Sequence, residues 1–163
     1  MGLTLPGELE RLLNDLGFTW PEVDEQELFE VGGEWCSFGS VVAAAHQSST
    51  GATEELLATN QSAGLDAFST RMQHPQSPLS VLGQASTGVE AVGAAMYCAA
   101  GLVLGLKINT MINLIALLCE IISAIAEAVP TFGASLAEIP VFKEITNRII
   151  NAIVNEAVNA ILS

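Results

Sequence analysis

The chain has 163 residues, half of them hydrophobic and only 14% charged, with 18 acidic against 5 basic side chains and a net charge of -13. A mean hydropathy of +0.47 excludes intrinsic disorder, and the scarcity of cations excludes a duplex-binding or anionic-lipid surface built on Lys and Arg. Three cysteines without CxxC or Cys/His spacing read as reduced core thiols, not a disulfide framework.

In chain order, Pro6 opens a short helix whose Leu9, Leu12, Leu13 and Leu16 share one face, and Gly17 stops it. Phe18-Thr19-Trp20-Pro21 forms a rigid corner. Asp24 is placed to cap the next helix. Nine of the 18 acids fall in residues 8–34. Leu28, Val31, Trp35, Phe38, Val42 and Ala45 follow the 3, 4 spacing of a helix–helix seam. Residues 46–53 (HQSSTGAT) read as a loop or interruption, and a helix is expected to resume near Glu54 and run to about Met72, with Leu57, Gly64 and Phe68 near one face.

Residues 73–78 (QHPQSP) are the clearest linker, with Ser77-Pro78 as N-cap and first helical position. Beyond it Leu82, Ala85, Val89, Val92, Met96, Ala99, Val103 and Leu106 repeat the 3, 4 spacing. The seam shifts at Lys107 and resumes as Ile108, Ile112, Ile115, Cys119, Ile122 and Ala126. Asn109, Asn113, Glu120, Ser123 and Glu127 form a narrow polar strip between apolar faces. Pro130 and Gly133 end this element. Pro140 opens a last helix with Asn147, Asn151, Asn155 and Asn159 at i+4 spacing. The fold expected is all-α: an elongated bundle of about five helices in long antiparallel hairpins. It is one domain over 1–163, with acidic helices in 1–73 and apolar hairpins in 78–163, ending inside an apolar pattern as a module of a longer protein does.

The longest uncharged apolar run, Ala91–Leu106, falls short of the roughly 20 residues that cross a bilayer. Lys107 at a bilayer centre would cost roughly 2.5–3.5 kcal/mol. No reaction chemistry converges. His46 and His74 stand without further metal-ligand spacing, and Glu54-Glu55 and the acids between Glu22 and Glu30 sit at helix starts, where the helix dipole favours them. Gly101-x-x-x-Gly105 lacks the P-loop Lys and fits close helix packing instead, and Ser37, Ser40 and Ser48 have no triad context. Neither catalytic residues nor a metal or other cofactor are expected.

Leu5-Pro6-Gly7-Glu8-Leu9, then Leu16-Gly17-Phe18-Thr19-Trp20-Pro21, then Asp24-Glu25 and Leu28 ahead of Trp35, with Gly64-Leu65-Asp66-Ala67-Phe68 later, carry a resemblance. Over residues 3–70 the chain resembles the WXG-like N-terminal domain of actinobacterial type VII secretion-associated toxins, of the outer-membrane channel and necrotising toxin type. Two positions depart from that pattern. Trp35 is followed by Cys36-Ser37, so the Trp-x-Gly turn is absent, and Tyr97 has Gly101, not an acid, four residues on.

The resemblance implies a non-catalytic helical delivery module that travels folded beside another helical protein, without a cleavable signal, ahead of a toxin. Such a protein is cytoplasmic before export and then secreted or held at the cell envelope. A homo-oligomer is the alternative partnership, and nucleic acid is not expected as a partner. The anchors expected are Trp20, Trp35, Phe38 and Phe68, with Met96 and Leu106 serving either the interface or the internal core. A second reading is a membrane-active domain that inserts 79–129 as a pore-forming hairpin once Glu90, Glu120 and Glu127 are neutralised. A third is a self-assembling structural protein.

Overall fold

The computed structural model describes residues 2–131 and 133–162. It is all-α: α1 (Gly7–Asp15), α2 (Glu25–Thr59), α3 (Ala63–Met72), α4 (Pro78–Ala126) and α5 (Ile139–Leu162), with a 3-10 turn over Ala134–Glu138 before α5. No strand occurs among the described residues. The chain forms two compact units, one of residues 1–27 and 99–163, the other of residues 28–98, so α2 and α4 each contribute to both. The unit boundaries do not fall at the 73–78 turn.

In the first unit, α1 buries the face expected of it. Leu9, Leu12, Leu13 and Leu16 close on Leu114 and Leu117 of α4 and Ile150 of α5, with Phe18, Trp20, Met111, Ile121 and Phe142 packed around them. Each such leucine contributes about 1.5–3 kcal/mol by leaving water. Gly17 takes φ 87°, the left-handed geometry that ends α1, and its N–H bonds the Asn14 carbonyl at 2.9 Å. The Leu16 carbonyl is met by Asn147 Nδ2 from α5 at 2.8 Å. Beyond the end of α4, Ser135 Oγ donates to the Ala124 carbonyl at 2.7 Å, and Gly133 at φ 86° turns the chain toward α5.

In the second unit, α2 and the first part of α4 run antiparallel, with Gly32 beside Gly93, Gly39 beside Glu90 and His46 beside Gly83. A Cβ on Gly93 would lie 2.5 Å from Cys36 Sγ and 3.0 Å from the Gly32 carbonyl oxygen, so these backbones meet only because side chains are missing. By contrast a Cβ on Gly101 or Gly105 would meet nothing within 4 Å. The close-packing glycines are therefore not the Gly101-x-x-x-Gly105 pair that spacing suggested.

The expected interruption at 46–53 is helix. Thr50 Oγ1 bonds the His46 carbonyl at 2.9 Å and Thr53 Oγ1 the Ser49 carbonyl at 2.8 Å, so the hydroxyls that suggested a loop fold back onto their own helix. The break comes later, at residues 60–62, where Ser62 Oγ accepts from the Leu65 N–H to start α3. Asp24 Oδ1 accepts from the Gln26 and Glu27 N–H groups at 3.0 and 3.2 Å, and Ser77 Oγ from the Ser80 N–H at 3.1 Å, so both expected caps are in place. The capping bond to Glu27 is the main reason the Asp24 carboxyl sits below its ordinary pKa. Residues 79–126 form one continuous helix, so the expected 79–129 hairpin does not exist.

Candidate interaction surface

Among the buried and half-buried positions of α4, which also include 80, 83, 99, 102, 104, 105, 106, 111, 113 and 118, one set runs 79, 82, 86, 89, 93, 96, 100, 103, 107, 110, 114, 117, 121 and 124. This is an unbroken 3, 4 repeat without a shift at Lys107. It shares Leu82, Val89, Met96 and Val103 with the expected seam; of the others Ala85 and Val92 are exposed, while Ala99 and Leu106 are half-buried beside Ala100 and Lys107. Past residue 107 the expected seam is the open one. Ile108, Ile112, Ile115 and Ile122 are all exposed, about 150° around the helix from the buried row at 3.6 residues per turn.

The same exchange occurs on α2. The covered face carries Gly32, Cys36, Gly39, Ala43, His46, Thr50, Thr53 and Leu57. Of the expected seam, Leu28, Val31 and Val42 are half-buried while Trp35, Phe38 and Ala45 are exposed, and Val41 joins the exposed ones outside. The physical reason is distance. Small side chains allow two helices to approach closely, and that approach covers more backbone and Cβ surface than a large residue propping them apart. Large residues then remain on the outside.

The expected anchors do not converge. Trp20 is half-buried in the first unit, its Nε1 donating to the Leu3 carbonyl at 3.2 Å. Leu106, also half-buried there, lines a cleft with Leu102, Ile153 and Ala157. In the second unit Met96 is half-buried against Gly32, and half-buried Phe68 shares an open cleft with Met72 and Arg71. Only Trp35 and Phe38 come together. They form an edge-to-face pair with centroids 6.4 Å apart and an interplanar angle of 76°, exposed at 36% and 53%. Glu34 joins them around a shallow notch. Trp35 lies in mid-helix, so no inter-helix turn forms where a Trp-x-Gly would place one.

One feature escaped the sequence reading. Lys107 is buried, its Nζ donating to Glu25 Oε2 and to the Val23 carbonyl at 2.7 Å each, and lies 5.9 Å from the centre of the Trp20 ring. Glu25 Oε1 accepts from the Leu3 N–H. The hydrogen bond from Lys107 is the main cause holding the Glu25 carboxyl below its ordinary pKa. This latch joins the N-terminal segment, the Trp20 corner, the start of α2 and α4. Its signal in the sequence was a lone Lys at a covered position of an otherwise apolar repeat, which requires a buried acid.

No cluster of His, Cys, Asp and Glu able to hold a metal occurs among the described residues. Of the three thiols expected in the core, Cys36 is half-buried, whereas Cys98 and Cys119 are exposed. The WXG100-like domain family matches residues 6–149. The chain belongs to that family. WXG100-like domains are secretion-related helical modules that typically pair as helical homo- or heterodimers. No match was found among curated proteins or among solved structures.

Proposed function

We propose that this WXG100-like chain is a non-catalytic docking and delivery module of a type VII-type secretion route, held by a helical partner before and during export. The observation that carries it is the outward placement of large apolar residues: Trp35, Phe38 and Val41 in one unit, Ile108, Ile112, Ile115 and Ile122 in the other. Burial of such faces in a helix-in-groove or bundle assembly is the mechanism. Toxin delivery is the finer form of the same proposal, resting on the resemblance of residues 3–70.

The test is co-expression with a small helical protein encoded beside it, followed by light scattering at two concentrations. A stable complex of defined stoichiometry is expected. A non-aggregating monomer that never co-purifies with such a protein would falsify the proposal, and a homo-oligomer alone would replace it by the self-assembly reading.

One observation favours a membrane-active role as the second reading. The most apolar 18-residue stretch of α4 has a mean hydropathy of 1.9 with 22% of it buried. It would act as a single helix, not as a hairpin. Dye release from liposomes at neutral and acidic pH decides, and intact vesicles at both would remove it.

A further inference from the structure

We infer that Glu34, Trp35 and Phe38 form a seat for an arginine side chain on a basic, amphipathic partner helix. The inference rests on the partner reading above and names the chemistry of the partner. The notch is a shallow, open depression of about 200 Å³, below the range of about 300–1,000 Å³ typical of small-molecule sites, so it suits one side-chain head group lying on the surface. Two of its walls are aromatic, held edge to face, and its third residue is a carboxylate. Aromatic faces carry negative potential, and a guanidinium is the cation that both stacks flat on an indole and bonds a carboxylate through two N–H groups. The apolar lining selects the delocalised, weakly hydrated cation over an ammonium.

Charge identifies the occupant as a foreign basic helix. Residues 28–98 contain six acids, Glu30, Glu34, Glu54, Glu55, Asp66 and Glu90, against Arg71 alone. Glu34 takes part in none of the ion pairs found among the described residues. A second copy would bring net charge -13 against net charge -13, and an anionic lipid surface would add further negative charge. On α2 the positions 30, 34, 38, 41 and 45 follow one outer strip: two glutamates, then Phe38, Val41 and Ala45. The complementary helix carries an apolar stripe over the second half of that strip and arginine over the first.

The test uses the full chain with the same co-expressed helical protein, its affinity measured by calorimetry at two salt concentrations. Trp35→Ala and Glu34→Lys are each expected to weaken binding at least tenfold, and Glu34→Gln several-fold with a flatter salt dependence. Glu8→Lys, on the exposed side of α1 in the other unit, leaves affinity unchanged. One Arg→Gln substitution in the partner is expected to lose its effect in the Glu34→Gln background. Circular dichroism confirms that each variant is folded. A complex that forms at full affinity with both Trp35→Ala and Glu34→Lys overturns the arginine seat while leaving the partner reading intact. Coupling of Glu34 to lysine alone, or to no partner cation, also overturns it. Absence of any complex overturns the partner reading and the seat together. A photo-crosslinker at position 38 that captures lipid or a second copy of this chain excludes the basic helix.

Discussion

Replacing Lys107 by Met keeps the volume of the side chain and removes its charge and both hydrogen bonds. Glu25 is then left buried without its cation, and the Val23 carbonyl without its donor. The loss is bounded by chemistry, because the carboxyl can take a proton. Against an ordinary value of 4.5, protonating it at pH 7 costs about 3.4 kcal/mol at 1.36 kcal/mol per pKa unit. The orphaned carbonyl adds about 1 kcal/mol. A destabilisation of about 3–5 kcal/mol follows, in the range for breaking one side of a buried ion pair. For a chain of this size that lowers Tm by about 10 °C.

The pH dependence is the sharper readout. In the wild type the folded pKa of Glu25 is lowered, so the contribution of the pair is complete above pH 4.5 and is lost as pH falls through the folded pKa. In Lys107→Met the folded pKa is raised, so acid relieves the penalty, and the gap to wild type narrows by about 3 kcal/mol between pH 7 and pH 4.5. The assay is urea unfolding in a Trp35→Phe background, where Trp20 beside Lys107 is the sole tryptophan. The double variant Glu25→Gln/Lys107→Met should recover most of the loss. A penalty under about 1 kcal/mol, or a gap that does not change with pH, refutes the reasoning, since about 3 kcal/mol is expected at least.

Four further outcomes follow from the packing. Gly93→Ala forces a Cβ against Cys36 and the Gly32 carbonyl and should cost about 1–3 kcal/mol, whereas Gly88→Ala, which meets nothing within 4 Å, should gain about 0.5–1 kcal/mol; thermal melts of the pair give opposite signs. Leu114→Ala removes a fully buried side chain and should cost about 2–5 kcal/mol, while Ile112→Ala, exposed at 58%, should change monomer stability by no more than about 0.5 kcal/mol. Asn147→Ala releases the Leu16 carbonyl and should cost about 1 kcal/mol in denaturant unfolding. Leu13→Ala, at 1% exposure on α1, should match Leu114→Ala, and a much smaller loss would show that α1 is not part of this core.

The all-α class, both helix caps, the face of α1 and the end at Gly17 followed from local rules, because capping and i, i+3, i+4, i+7 burial depend on a few neighbouring residues. What failed was the choice between apolar faces. On α2 the reading selected Trp35 and Phe38 because hydrophobicity scales reward size, whereas the helix pair is set by Gly32, Cys36, Gly39 and Ala43. On α4 the reading places a slip of the repeat at Lys107, although a single 3, 4 repeat passes through it. A buried cation mimics a frame shift when its acid, Glu25, lies 82 residues away. The 46–53 interruption failed for a related reason, since hydroxyls that cap their own helix are indistinguishable in sequence from hydroxyls that turn a loop.

These failures bear on function. A helix of a self-sufficient bundle places its largest apolar residues inward, and reading the seam by size then succeeds. Here that reading picks residues that are exposed in the monomer, on α2 and on the second half of α4 alike. The open strip of α4 keeps the 3, 4 spacing that helix pairing requires, 108, 112, 115, 119, 122, while on α2 the open residues 35, 38 and 45 share their row with the half-buried Val31 and Val42. Two repeats with one pairing period on one helix, one covered and one open, are economically explained when the open one is also a pairing seam whose second helix belongs to another chain. Ile112→Ser and Trp35→Ser then separate stability from assembly. If both leave the melting point of the isolated chain nearly unchanged and abolish complex formation, the open strips are the interface. If they instead lower the melting point by as much as Leu114→Ala does, they are core, and the chain completes its fold alone.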